Sequence, residues 1–124
     1  MEKISLSDGE WKLMNLLWDE SPLVIAKIVN ALKHDTGWSR ATVNIMLTRL
    51  SEKGAVRIEN LGRQKFFYPI LGREQAVCEE ARSTLEKIKT KGIGLLLGTM
   101  TSEAELTDEE VEELYRILKE RSKK

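Results

Sequence analysis

Side chains that can read the edges of DNA bases are concentrated in one short segment, "SRATVNIMLTRLSEK" at residues 39–53. An arginine can donate two parallel hydrogen bonds to guanine, and an asparagine can form two with adenine. The methyl groups of alanine and threonine can contact the methyl group of thymine. We therefore predict base-reading roles for Arg40, Ala41, Thr42 and Asn44. The plainer interpretation is that Arg40 and Asn44 are ordinary solvent-facing residues of a helix.

The positive charge around this segment predicts contacts with a phosphate backbone. Residues 36–65 contain six Lys and Arg against two Asp and Glu, although the whole chain has 20 of each kind and a formal net charge of zero. A positive face on a neutral protein is typical of binding to nucleic acid at a defined surface, and the alternative is a solvated charged face. The predicted backbone contacts are Ser39, Thr48, Arg49, Lys53, Arg63 and Lys65.

Residues 39–53 are predicted to form the recognition helix that presents these side chains. Ser39 can cap its first turn, and Gly54 supplies its end. Apolar residues follow at steps of three and four and therefore share one face: Val43, Met46, Leu47 and Leu50. With that face in a core, Arg40 and Asn44 project to the other side.

Two more helices are predicted before this one. Ser7 and Glu10 have the spacing of a capping box at the start of the first helix. Pro22 separates it from a second helix, which ends at Gly37. Three helices joined by short connections are typical of a helix-turn-helix domain.

The sequence period changes after Gly54. The runs "AVRIEN" and "QKFFYPI" are rich in β-branched and aromatic residues and flank the turn-forming "LG". They predict a two-stranded hairpin, a wing that carries Arg63 and Lys65 toward phosphates or the minor groove. Strand alternation places Phe67 opposite Phe66, and we predict that the aromatic residues pack in and around the core.

The chain becomes helical again from about Gly72, with "REQAVCEEARSTLEKIKTKG" and, after a capping box at Thr107 and Glu110, "VEELYRILKERSKK". Such a tail buries too little surface to enclose a core, and a second copy of the chain would supply the rest. The predicted dimerisation residues are Val77, Ala81, Leu85, Ile88, Leu96, Leu114, Ile117 and Leu118.

The predicted fold is mostly α with a small β-hairpin wing. It consists of a winged helix-turn-helix DNA-binding domain over residues 1–71 and a C-terminal helical dimerisation region over residues 72–124.

The residue types predict no catalysis, metal site or cofactor. His34 has no nearby cysteine or spaced acidic partner and is interpreted as a surface or packing residue. Cys78 is predicted to be a small buried hydrophobe. A single cysteine allows no intrachain disulfide, and the chain shows neither a long apolar run nor an N-terminal signal. We therefore expect a soluble cytoplasmic protein without membrane insertion.

Four stretches together have the order and spacing of a known family: "LSDGEWKLMNLLWDESPL", "WSRATVNIMLTRLSEKGAV", "GRQKFFYPI" and "LTDEEVEELYRIL". The sequence resembles the penicillinase repressors, the BlaI/MecI group with the copper-responsive CopY repressors as relatives. The resemblance implies a homodimeric transcriptional repressor that binds palindromic double-stranded operator DNA. It also implies that Arg40, Ala41, Thr42 and Asn44 begin the recognition helix and that Arg63 lies on the wing.

The resemblance further implies a regulatory protease or sensor protein as a partner. Family members that a membrane sensor protease controls are cut at an Asn-Phe pair. The corresponding stretch here is "LGTM", with Thr99 and Met100 in place of that pair. The clustered C-terminal cysteines that hold metal in the copper-responsive relatives do not occur in this sequence.

Two alternatives remain open for the function. Winged helices also serve as protein-interaction modules, for which a net charge of zero is suitable. The chain is alternatively a DNA-binding regulator that responds to a small ligand held between its dimer helices.

Overall fold

The computed structural model describes residues 3–88, 91–103 and 105–122. These residues form six helices and a small three-stranded sheet, which confirms the predicted fold class. In chain order the elements are α1 (Asp8–Glu20), β1 (Leu23–Val24), α2 (Ile25–Thr36), α3 (Arg40–Lys53), β2 (Val56–Leu61), β3 (Gln64–Pro69), α4 (Arg73–Ile88), α5 (Ile93–Glu103) and α6 (Asp108–Ser122).

The helix ends follow the signals in the sequence. Ser7 and Glu10 form the predicted capping box of α1, in which each side chain accepts a hydrogen bond from the backbone N–H of the other residue. The Ser39 hydroxyl accepts a hydrogen bond from a backbone N–H in the first turn of α3. Helices α2 and α3 end at Gly37 and Gly54, with φ of 67° and 86°. Glycine adopts this left-handed conformation without a steric cost.

The predicted hairpin is part of an antiparallel sheet with the strand order β1–β3–β2. Strands β2 and β3 pair along their whole length, which leaves Gly62 and Arg63 as a two-residue turn. The third strand, β1, pairs Leu23 with Phe67. The sequence did not indicate β1, because the two residues between Pro22 and α2 are too few to show an alternating pattern.

An apolar core joins α1, α2 and α3 to the sheet. Phe67 is 1% exposed whereas Phe66 and Tyr68 are partly exposed, which confirms the predicted strand alternation. The predicted apolar face of α3 lies in this core, with Met46 packed against its edge. The buried residues are Leu13, Met14, Leu17, Ile28, Val43, Leu47, Leu50, Ala55, Val56, Phe67, Leu71 and Ala76.

The chain divides into two compact units, Met1–Arg82 and Ser83–Lys124. The first unit, called the winged unit below, extends past residue 71 because the start of α4 packs against α1. The indole N–H of Trp18 donates to the carbonyl oxygen of Leu71 at 2.8 Å. The guanidinium of Arg73 lies over the Trp18 ring, 5.5 Å from its centroid. These contacts make the first turns of α4 part of the winged unit.

The second unit contains the end of α4, then α5 and α6. Helix α5 was not predicted, because its run of small and apolar residues shows no helical alternation with polar ones. Helix α6 begins at the predicted capping box, where the Thr107 N–H donates to Glu110 at 3.0 Å. Within the described part of this unit no side chain is fully buried. Its exposed large apolar side chains are Leu85, Ile93, Leu95, Met100, Val111, Tyr115, Ile117 and Leu118.

Candidate nucleic-acid interface

Side chains from α3 and from the hairpin meet in one open groove of the winged unit, called the reading groove below. Its polar and charged lining, with one alanine, consists of Arg40, Ala41 and Asn44 from α3 and Arg63, Gln64 and Lys65 from the turn and β3. Its apolar lining consists of Val24, Ile25, Ala26 and Phe67. The structure thus brings predicted base-reading residues together with predicted backbone contacts from a different element.

Local structure explains why these side chains share one space. Arg40 and Asn44 are one helical turn apart and therefore lie on the same side of α3. On β3, Lys65 shares a face with the buried Phe67, because alternate residues of a strand point the same way. Lys65 therefore lies on the same face of the hairpin as Phe67 but closer to the tip. The two-residue turn puts Arg63 at that tip.

The reading groove carries positive charge. Arg40, Arg63 and Lys65 are exposed, and none of the described residues that line the groove has a carboxylate. These three cations form no ion pair with any part of the chain that the structure describes. They can therefore attract phosphate groups without first breaking an internal ion pair.

Three other predicted residues are exposed on α3 or at its start but do not line the reading groove. The Ser39 hydroxyl donates to Thr42 Oγ1 at 3.2 Å and accepts the Thr42 N–H at 3.2 Å. The Thr48 hydroxyl donates to the carbonyl oxygen of Asn44 at 2.8 Å, one turn earlier. These hydrogen bonds remain within the helix and its cap, and the three side chains are exposed.

The last two predicted cations of α3 lie elsewhere. Arg49 and Lys53 line a separate depression together with Glu10 and Glu52. The Lys53 ammonium donates to Oε1 of Glu10 at 2.6 Å and to the carbonyl oxygen of Ser5 at 2.7 Å. Glu10 is only 4% exposed, so the structure gives Lys53 an internal partner that the sequence did not predict.

The charge state of Glu10 follows from two opposing effects. Burial alone would raise the pKa of the Glu10 carboxyl, because it disfavours the charged form. Hydrogen bonds from the Lys53 ammonium and from the Ser7 N–H, with the positive charge of Lys53, outweigh burial and hold that pKa below its ordinary value. Glu10 is therefore a carboxylate at neutral pH, and its contact with Lys53 is an ion pair.

Comparison with known proteins identifies the family. The family model of the penicillinase repressors matches residues 6–120. The chain belongs to the penicillinase repressor family. Among related repressors, the penicillinase repressor of Bacillus licheniformis is 28% identical over 121 residues, which are 97% of this chain and 94% of that protein.

Two solved structures of related repressors are similar to part of this chain. The solution structure of the DNA-binding domain of the repressor BlaI is 30% identical, has a TM-score of 0.54, and covers 60% of this chain and 93% of that one. The solution structure of monomeric Bacillus licheniformis BlaI in complex with the blaP half-operator has a TM-score of 0.52 with the same identity and coverage. These similarities and the family match confirm the sequence resemblance, the winged helix-turn-helix and the class of DNA-binding transcriptional repressor, which is not an enzyme.

The remaining predictions concern His34, Cys78, metal binding and membrane insertion. His34 is exposed, as one of the two interpretations of it allowed. Cys78 is also exposed, so the prediction of a buried cysteine was wrong: the core of the winged unit covers α4 at Ala76 and not at Cys78. Across residues 3–88, 91–103 and 105–122, no group of His, Cys, Asp and Glu is arranged to hold a metal ion. No helix in those ranges is long and apolar enough to cross a membrane.

Sequence reasoning missed one residue of the reading groove, Gln64. Gln64 lines the groove between Arg63 and Lys65, and its neutral amide does not belong to the charge pattern that predicts its two neighbours. Ile45 lies on the outward side of α3 and is 53% exposed, although aliphatic side chains of this size are usually buried. The helical spacing predicts this outward position beside Asn44.

Proposed function

We propose that this repressor binds operator DNA with the start of α3 in the major groove and the wing against neighbouring phosphates. The reading groove carries the proposal, because Arg40 and Asn44 of α3 lie there beside Arg63 and Lys65 of the hairpin. Recognition by a helix in the major groove needs base-reading side chains near its N-terminal end. It also needs cations nearby that fix the register of the helix on the duplex.

The proposed roles follow the position of each side chain. Arg40, Ala41 and Asn44 read base edges, and the exposed Ile45 adds an apolar contact for a thymine methyl group. Arg63 and Lys65 bind phosphates or the edge of the minor groove. Ser39 and Thr42 at the start of α3, and Thr48 and Arg49 farther along it, contact the DNA backbone. Thr42 was predicted to read a base and is moved to this group because it does not line the reading groove. Lys53 is left out because Glu10 occupies its ammonium.

We further propose that the repressor is a homodimer joined through the second unit and the exposed face of α4. The described part of the second unit has no fully buried side chain, so apolar surface is available for a partner. Two-fold symmetry then predicts a palindromic operator, with half-sites one or more helical turns of about 34 Å apart. The proposed interface consists of Val77, Ala81, Leu85, Ile88, Leu96, Leu114, Ile117 and Leu118.

The proposal places the repressor in the cytoplasm and keeps a regulatory protease or sensor protein as a partner, as the family resemblance implies. The bond between Thr99 and Met100, where the family pattern has its cut, lies inside α5. A protease binds its substrate in an extended form, so a cut at this bond requires α5 to unwind first. Limited proteolysis with mass measurement of the fragments tests whether that bond is cut ahead of its neighbours.

Selection of duplexes from a random pool tests the proposed function directly. We expect the full-length repressor to enrich one palindromic sequence, and we expect an Arg40→Ala, Asn44→Ala double variant to lose that preference while retaining binding to random duplex. Enrichment of no sequence, or binding to random duplex that does not depend on salt, would favour a protein-interaction module. Enrichment of a sequence without symmetry would contradict the dimer.

A further inference from the structure

An ion pair between the buried carboxylate of Glu10 and the partly exposed ammonium of Lys53 joins the start of α1 to the end of α3. Lys53, the last residue of α3, places Nζ 2.6 Å from Oε1 of Glu10 and 2.7 Å from the carbonyl oxygen of Ser5. Glu10 lies in the first turn of α1 and is 4% exposed. The same Oε1 atom accepts the backbone N–H of Ser7 at 2.8 Å. The ion pair is therefore built onto the capping box that begins α1.

This ion pair supplies a constraint that the apolar core lacks. Val43, Leu47 and Leu50 hold α3 in the core, but the hydrophobic effect that buries them has no directional preference. Charge-assisted hydrogen bonds, in contrast, weaken steeply when the distance or angle departs from its optimum. The contact of Lys53 with Glu10 and Ser5 therefore fixes the position of the end of α3 relative to α1. It restricts small shifts and rotations of the helix that apolar packing alone would allow.

We infer that the Glu10–Lys53 ion pair is a positioning element that sets the orientation of α3 for base reading, an inference that rests on the proposed function. Lys53 lies about 20 Å along the helix from Arg40, at roughly 1.5 Å per residue. A rotation or shift at this end therefore changes where Arg40 and Asn44 are presented. Bidentate hydrogen bonds to bases need distances of about 2.9 Å, whereas attraction to phosphates does not. Loss of the pair therefore affects sequence reading more than general affinity for DNA.

Three full-length variants test this positioning role. Lys53→Met removes the ammonium and keeps most of the apolar stem, and Lys53→Arg restores a cation that can bond to Glu10. Lys12→Met is the matched control, because Lys12 forms an ion pair with Asp35 at 2.7 Å whose partners are both exposed. The control removes one positive charge from the same unit and leaves Glu10 untouched.

The probes are the duplex that the wild-type repressor selects from a random pool and a scrambled duplex of the same length and composition. Binding is measured by fluorescence anisotropy over a series of salt concentrations, at a temperature where circular dichroism shows each variant to be folded. If Lys53→Met does not fold, the double variant Glu10→Gln, Lys53→Met replaces it, because that variant leaves no unpaired buried charge.

We expect Lys53→Met to bind the selected duplex roughly tenfold more weakly than the wild type. This loss lies within the range expected when one base contact is lost. Its affinity for the scrambled duplex and its salt dependence should match the wild type, and Lys53→Arg should recover the preference. Equal losses on both duplexes with a shallower salt dependence would show Lys53 to be a phosphate contact, and unchanged affinities would show a purely structural role. Either result overturns the inference. A wild-type protein that selects no sequence overturns the proposed function itself, which is a separate result obtained before any variant is made.

Discussion

Arg40 in the first turn of α3 and Arg63 at the tip of the hairpin line the same groove, although most of α3 and all of β2 separate them in the sequence. The pairing of β3 with both β1 and β2 fixes the hairpin against the helices, and the cap at Ser39 fixes where α3 begins. The sheet and the helix cap thus define the spacing between a base-reading side chain and a cationic one.

Single substitutions of Arg40 and Asn44 by alanine should each relax discrimination at one base position. A bidentate contact is worth about 1–3 kcal/mol of preference for the correct base, and phosphate contacts elsewhere are unaffected. The measurement is competition between the selected duplex and variants with one base pair changed. A loss of affinity that is equal for all base pairs would contradict the base-reading role.

Arg63→Ala and Lys65→Ala should weaken binding to all duplexes by similar factors. Each loss of a phosphate contact lowers the slope of log K against log salt by about 0.9. Titration of wild type and variants with random duplex from low to physiological salt measures both quantities. The matched control is Arg57→Ala, a substitution on the same hairpin, since Arg57 is already paired with Glu59 and lies over the Tyr68 ring. A variant with wild-type slope would remove that residue from the proposed backbone contacts.

The stability of the winged unit should depend on the ionisation of Glu10. Its pKa in the folded state lies below the ordinary value of 4.5, so the unfolded chain takes up a proton first as the solution is acidified. The stabilisation is fully present above about pH 4.5 and is lost as the pH falls through the lower folded-state pKa.

The free energy of unfolding of wild type and Glu10→Gln, measured by urea denaturation from pH 3 to 7, checks this sign. At neutral pH we expect the wild type to have the larger free energy of unfolding, and we expect its difference from Glu10→Gln to become smaller as the pH falls. The exposed Glu20 supplies a control variant, Glu20→Gln, which should track the wild type across the range. A constant difference between wild type and Glu10→Gln would rule out the linkage.

Replacing Ile117 and Leu118 together by aspartate should dissociate the proposed dimer. Both are about half exposed in the single chain, and burying an aliphatic side chain in an interface contributes about 1.5–3 kcal/mol. Sedimentation velocity over a range of concentrations should show dimer for wild type and monomer for the variant. Glu120→Gln, on the same helix, serves as the control. A variant that remains dimeric would place the interface elsewhere.

Local features made much of the winged unit predictable from sequence. Capping residues, the step of three and four in α3 and the strand alternation around Phe67 are all set by neighbours along the chain. The recognition helix was therefore predicted over residues 39–53, and the structure has it over Arg40–Lys53 with Ser39 as its cap.

Features that depend on distant partners were not predictable in this way. Strand β1 exists because it pairs with Phe66 and Phe67, more than 40 positions later in the chain. The ion pair between Lys53 and Glu10 was not predicted, because the two residues lie 43 positions apart in the sequence. The exposure of Cys78 likewise depends on which elements cover α4. The spacing of apolar residues predicts which residues share a face of a helix, but not whether another element covers that face.

The three cations of the reading groove, Arg40, Arg63 and Lys65, also have a consequence for how the winged unit approaches DNA. Because the chain has no net charge, the field of a duplex exerts little overall pull on it. A one-sided distribution of charge nevertheless acts as an electric dipole, which the same field rotates. We therefore expect the winged unit to meet the operator with the reading groove toward the duplex more often than random tumbling alone would give.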